Sequence, residues 1–311
     1  MWPNSRCLRR FVSSFSIMEN EGPSRTALTT AYARAYHQIA DQPRILTDPL
    51  AARLLGVTAE ELSEFGRPEA DGPDSGGGLG LLRMGVSDRP RRLFFAARAR
   101  FAEDRVAAAV AAGARQVVIL GAGLDTFAYR NPHPGLRVFE VDHPATQAWK
   151  IERLTASGID LPERLTFVPV DFETDTLATQ LADAGFSRAD PAVFVWLGVV
   201  FYLTPDAARS TLEYIAGQSE RVEVIFDYLA DTDEDRAQLR DRANRAAAVG
   251  EPWFSYFAPD GIAVQLRALG FTGIEDHAAA DLIAGYLDGS TEFAGEPPRS
   301  LRPVRMLRAS R

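Results

Sequence analysis

Two rhythms of apolar residues divide the chain. Over residues 24–56 the spacing is helical: Ala27, Ala31, Ala35 and Ile39 fall on one stripe, and Asp48-Pro49 suits the start of a second short helix. Residues 91–112, rich in Ala and Arg, predict a long helix that ends near Gly113. Residues 66–80 (GRPEADGPDSGGGLG) have no periodicity and read as a glycine-rich connector or lid. After Gly113 the rhythm changes to short apolar runs at 117–120, 138–141, 165–170, 193–197 and 222–228, separated by helical stretches at 144–157, 174–184 and 205–219. Apolar strands alternating with helices predict a Rossmann-like α/β domain, a parallel sheet covered on both faces. Beyond residue 230 come helical patterns at 231–249 and 260–269 and strand patterns at 272–276 and 303–308. A terminal antiparallel hairpin made from these strands would complete a seven-stranded sheet.

Composition narrows the picture. A chain of 311 residues with 46% apolar and 24% charged residues suits one large α/β domain. That domain is expected over 24–311, with 24–90 as a helical cap plus glycine-rich loop and 91–311 as the core with insertions. Residues 1–23 are set aside as a disordered or mis-assigned extension. Their first 17 residues carry Arg6, Arg9 and Arg10 and no acid, as in a targeting segment or a stretch upstream of a start at Met18. A net charge of −8 works against a nucleic-acid partner. No apolar run approaches the roughly 18 residues of a membrane span, so a cytoplasmic protein without membrane attachment is expected. The single cysteine, Cys7, excludes an internal disulfide and a cysteine-held zinc, and no metal is expected.

Four segments carry chemistry. In Val117–Thr126 an apolar strand runs into Gly121-Ala-Gly123, where glycine lets a ligand approach the backbone. Thr126 occupies the place of the third glycine of a dinucleotide fingerprint, which favours a looser loop for the amino-acid portion of a cofactor over NAD. Phe139-Glu-Val-Asp142 ends the next strand with an acid 19 residues after Gly123, suited to the two hydroxyls of a ribose. Glu140 and Asp142 share a face, and Asp142, nearer the strand's carboxyl end, is preferred. Asp171 closes the third strand, either as an adenine acceptor or as a helix cap. The apolar stretch Trp196–Pro205 ends the fourth strand, and Tyr202 is the candidate catalytic residue to reach a pocket there.

Taken together, these segments resemble the leucine carboxyl methyltransferase family, especially an actinobacterial branch of S-adenosylmethionine-dependent enzymes. The resemblance is carried by Arg34-Ala35, Asp48-Pro-Leu-Ala51, Arg98-Ala-Arg-Phe101 with Asp104, Leu120–Arg130, Phe139–Asp142, Val170-Asp-Phe172 and Gly198–Leu203, in the expected order over roughly residues 25–230. It implies a class I methyltransferase fold with S-adenosyl-L-methionine as cofactor. It further implies that Arg100 pairs with the methionine carboxylate, with Arg98 competing for that role and Arg34 in reserve. Gly121 and Gly123 would line the methionine and ribose, Asp142 would hold the ribose, and Asp171 with Phe172 the adenine. The chain departs from the family at Leu197, where a cofactor-contacting Glu is common.

The expected activity is methyl transfer to an oxygen of a small-molecule acceptor. A carboxylate needs no base, whereas a hydroxyl does. None of the four histidines (His37, His133, His143, His277) stands out as a base, which tilts the reading towards a carboxylate. Pro252–Phe257, together with residues 24–90, would form the acceptor side. The alternatives are a hydroxyl O-methyltransferase of secondary metabolism, a nucleotide-dependent dehydrogenase, an RNA-modifying enzyme and a non-catalytic cofactor-binding relative. Oligomeric state is not legible.

Overall fold

The computed structural model describes residues 24–66, 83, 85–171, 175–248, 250–287, 292–293 and 295–311. The amino-terminal extension 1–23, nearly all of the glycine-rich loop and Phe172 lie outside the described residues.

Seven strands form one sheet: β1 Gln116–Leu120, β2 Arg137–Asp142, β3 Leu165–Pro169, β4 Ala192–Trp196, β5 Val222–Leu229, β6 Gly273–Ala278 and β7 Val304–Ser310. Their order is β3-β2-β1-β4-β5-β7-β6. The first five strands run parallel, and β7 is antiparallel to both of its neighbours, β5 and β6. The expected antiparallel pairing of the last two strands is therefore present, but residues 279–303 join them in place of a hairpin turn, and β7 inserts between β5 and β6. A dinucleotide-binding sheet in the parallel order 3-2-1-4-5-6 has no such strand.

Alternation along each strand sorts side chains between two cores. Val117, Ile119, Val193, Val195 and Ile225 pack on one face against α4 (Arg89–Ala111) and, further along, α11 (Ala279–Tyr286). Val118, Leu120, Phe194, Trp196 and Val224 pack on the other face. That face is covered by α7 (Leu177–Asp183), α8 (Pro205–Ala216) and α10 (Pro259–Ala268). Two further helices follow strands, α5 (Phe127–Arg130) after β1 and α6 (Pro144–Ala156) after β2, and α9 (Arg236–Ala248) lies beyond β5.

The cap has its own core. It consists of α1 (Arg25–Ala40), α2 (Ala51–Leu55) and α3 (Ala59–Phe65). Leu28, Ala31, Tyr32 and Ala35 of α1 meet Leu54, Leu62 and Phe65, together with Leu124, Leu154 and Ile159 from the sheet side. Asp48 Oδ1 accepts the amides of Leu50 and Ala51, at 3.2 and 3.1 Å, in the turn that leads into α2, and the helix starts two residues after Pro49. Asp41 ends α1 and receives Nε and Nη2 of Arg92, at 2.7 and 2.8 Å, which ties α1 to α4. The helix α3 lies outside the helical span read from the sequence, although its capping box (Thr58 with Glu61) is explicit.

Candidate active site

One pocket of about 360 Å³ opens at the carboxyl ends of β1, β2 and β4, under the first turn of α1. This is the end of an open α/β sheet at which ligands bind. Its centre is the turn after β1. Gly121 and Gly123 both have positive φ (64° and 47°), a conformation that side chains disfavour. A Cβ on Gly121 would also stand 2.4 Å from Cγ2 of Val199. The turn is tied to β2 by Ala122 N–H, which donates to Val141 O at 3.0 Å.

On the β2 side, Asp142 lines the pocket and accepts the amides of Gly123 and His143, the latter at 2.7 Å. Burial pushes its carboxyl above the usual range, and the two amides oppose that shift. Glu140, which shares its face, is fully buried instead. It pairs with Lys150 Nζ at 2.7 Å and accepts the Tyr129 hydroxyl at 3.1 Å. Burial raises the Glu140 carboxyl too, against the pull of Lys150. Asp171 follows β3 and is not among the pocket-lining residues; its amide donates to Asp175 Oδ2 at 2.9 Å. Phe172, its expected partner at the adenine, lies outside the described residues.

The structure separates the two candidate arginines. Arg100 is exposed, bonded through Nε to Asp104 Oδ1 at 2.7 Å and set over the Tyr286 ring, away from the pocket. Arg98 lines the pocket. Its Nη1 meets Asp227 Oδ2 at 2.7 Å, and Asp227 Oδ1 in turn accepts Gly198 N–H at 2.6 Å. Two helical positions separate the arginines by about 200°, so only one of them can face the sheet. Arg34 also lines the pocket, held by Asp48 at 3.2 Å and by Leu124 O at 2.6 Å.

On the β4 side, Leu197, Gly198 and Val199 line the pocket, followed by Tyr202 on a single 3₁₀ turn. The Tyr202 hydroxyl lies 2.6 Å from Thr26 Oγ1 and 3.1 Å from Glu251 Oε2. Burial, and after it the charge of Glu251, push that hydroxyl well above its usual range. Phe95, Pro252 and Phe254 add apolar wall. Of the aromatic segment 252–257, Pro252 and Phe254 reach the pocket, whereas Trp253 packs edge-on against Phe201 with ring centroids 5.6 Å apart.

Among the histidines only His143 lines the pocket, and its Nδ1 caps α6 by accepting Ala145 N–H at 3.2 Å. His37 is a buried structural residue between Asp41 and the Ile45 amide. Sequence reasoning singled out neither Thr26 and Glu251, which line the pocket, nor Asp227, which holds Arg98 from behind. Glu251 stands beside the noted aromatic segment, but nothing local reveals that it meets a residue 225 positions away. Among the described residues no group of three or more His, Cys, Asp or Glu could hold a metal ion, and no helix is long and apolar enough to cross a membrane.

A sheet with β7 inserted antiparallel, a Gly-x-Gly turn after β1 and an acid at the end of β2 define a class I S-adenosylmethionine-dependent methyltransferase. Residues 27–216 match the leucine carboxyl methyltransferase family, and the chain belongs to it. YktD of Bacillus subtilis, named as an S-adenosyl-L-methionine-dependent methyltransferase, is 33% identical over 286 residues, covering 85% of this chain and 91% of that protein. A Mycobacterium tuberculosis H37Rv protein named in the same way is 31% identical over 277 residues, covering 86% and 82%. A Thermobifida fusca methyltransferase structure shares the fold at 16% identity, with a TM-score of 0.54, covering 94% of this chain and 96% of that one.

Proposed function

We propose that this protein transfers the methyl group of S-adenosylmethionine to an oxygen of a small, partly apolar acceptor. One observation carries the reading. A single pocket joins the β1 turn and Asp142 on its β2 side to Tyr202, Phe254 and Glu251 on its β4 side. Such a volume falls in the range of small-molecule sites.

The residues present fit the cofactor. Asp142 retains acceptor capacity for ribose hydroxyls beyond its two amide bonds. The backbone at Gly121–Gly123 is open to close approach, and Arg98, which lines the same pocket, would supply the positive charge for a methionine carboxylate. Asp171 and Phe172, at the end of the next strand outward, keep the adenine role that the resemblance gives them. When bound, the cofactor supplies a methyl group already activated by the sulfonium. The chain's own residues therefore have to orient the acceptor and exclude water. Phe95, Leu197 and Phe254 supply the apolar wall for this.

Titration calorimetry tests the reading: S-adenosylmethionine is expected to bind in the micromolar range, corresponding to about −8 kcal/mol, and NAD not to bind. Binding of NAD with S-adenosylmethionine ignored would end it.

A further inference from the structure

Glu251 meets three donors at the pocket wall. Oε1 accepts the backbone N–H of Thr26 at 3.0 Å, and Oε2 accepts the Thr26 hydroxyl and, at 3.1 Å, the Tyr202 hydroxyl. Thr26 belongs to the first turn of the 16-residue helix α1, whose leading amides have no partner within the helix. The hydroxyls of Thr26 and Tyr202 are 2.6 Å apart, and both can direct their protons towards Glu251, in sequence or separately. In either arrangement the Tyr202 oxygen keeps acceptor capacity, and Tyr202 and Glu251 both line the pocket.

This wall is suited to a group that donates a hydrogen bond and is unsuited to an anion. An acceptor carboxylate would lie beside Glu251 as a like charge with no proton to offer. A neutral hydroxyl would donate to Tyr202. Resting on the methyl-transfer reading above, we propose that the acceptor is a phenol or alcohol and that Glu251 is its general base, reached through Tyr202. The acceptor O–H bond breaks and its proton passes to Tyr202 Oη, while the Tyr202 proton passes to Glu251 Oε2. The electron pair freed on the acceptor oxygen forms the new O–CH3 bond. The C–S bond breaks with its pair left on sulfur, and the proton on Glu251 is later lost to water. This acceptor class differs from the carboxyl group in the family's name and from the carboxylate that the histidine pattern suggested.

The test uses the full chain, methyl-labelled S-adenosylmethionine, and a panel of simple phenols, alcohols and carboxylic acids. Label is expected in methyl ethers that survive mild alkali. Glu251→Gln and Tyr202→Phe should each lower kcat by roughly a hundredfold or more, and Glu251→Asp should restore part of it. All three variants should keep the wild-type thermal midpoint and bind S-adenosylhomocysteine within about threefold of wild type. Binding to the S-adenosylhomocysteine complex gives a readout independent of turnover. Phenol should bind in preference to benzoate, and Glu251→Gln should raise benzoate affinity about tenfold, the scale of one removed like-charge contact. Label in an alkali-labile ester or on nitrogen, an unchanged kcat in Glu251→Gln, or benzoate preferred by the wild type would each overturn the proposal. If no panel member is labelled, the phenol–benzoate comparison decides. Failure to bind either cofactor form would instead remove the methyl-transfer reading itself.

Discussion

Arg98 and Arg100 show how far a single residue can be read from sequence. The motif Arg98-Ala-Arg-Phe101 offers both, and the distinction lies in the helix face. Leu93, Phe94, Ala97 and Phe101 form the buried stripe of α4; Arg98, four positions after Phe94, sits in it, and Arg100 does not. That periodicity was legible and puts Arg98, not Arg100, on the buried face. Invisible in the sequence was Asp227, the buried partner that makes a cation tolerable there. Arg100→Ala is expected to leave cofactor affinity within about twofold and to cost at most about 1 kcal/mol of stability, the scale of an exposed ion pair. Arg98→Ala is expected to weaken S-adenosylmethionine binding by about 1.5–3 kcal/mol and to destabilise the fold by roughly 3–5 kcal/mol, because Asp227 is left buried and unpaired. Adding Asp227→Asn should recover much of the stability and none of the affinity. Calorimetry and urea melts on the four proteins separate the two losses; equal affinity in Arg98→Ala and wild type would remove Arg98 from the site. Gly121→Ala should also fail locally, since positive φ and the approach of Val199 both oppose a side chain. About 1–3 kcal/mol of strain is expected, readable as a lowered melting temperature.

At the scale of elements, legibility followed the strength of local signals. The strands β1 to β5 and the helices α6, α7 and α8 between them were visible because apolar runs and turn residues lie next to one another. The helix α11 was not, because its N-cap is Ala278 with no capping side chain, and its apolar run follows β6 without a breaker. The junction of α1 with α4 depends on contacts between distant residues and was likewise hidden. There, burial alone would raise the Asp41 carboxyl, but hydrogen bonds from Arg92 and His37 outweigh it and hold it well below the usual carboxylate range. Arg89, 3.3 Å away, adds to the positive surroundings. A carboxyl depressed in the folded state stabilises the fold above its unfolded pKa, about 3.9, and loses that contribution as pH falls towards the folded value. Asp41→Asn should therefore cost about 3–5 kcal/mol at pH 7, and the gap to wild type should narrow below roughly pH 4. Urea melts at pH 7 and pH 3 check this; an undiminished gap at pH 3 would mean that Asp41 acts through shape and not charge.

Across the whole molecule, the pocket residues at strand ends were legible and the meeting of the cap with the far side of the pocket was not. Gly121, Gly123 and Asp142 sit at strand ends, and a strand end is a local feature of sequence. Thr26, Tyr202 and Glu251 come from the first helix, the turn after β4 and the segment after α9, and only folding brings them together. Because the pocket is shared by the cap and the sheet, a ligand bound there favours both over their unfolded forms. S-adenosylhomocysteine at a hundred times its Kd should stabilise the protein by about 2.7 kcal/mol and raise the thermal midpoint by several degrees in one transition. NAD should not move it. Two separated transitions, with only the later one shifted, would show that the cap is not part of the binding unit.

Lys150 is the only lysine in the sequence, and the fold buries it against Glu140 with 1% of its side chain exposed. Reagents that attack primary amines therefore find no ε-amino group on the surface of the native protein. Lysine-directed labelling would leave Lys150 of the native fold unmodified, and so would lysine-directed cross-linking. Adduct formation at Lys150 requires this part of the fold to open, so its rate reports that opening. The chain thus carries a chemical clock for its own unfolding, readable by mass spectrometry at one position with no engineered probe.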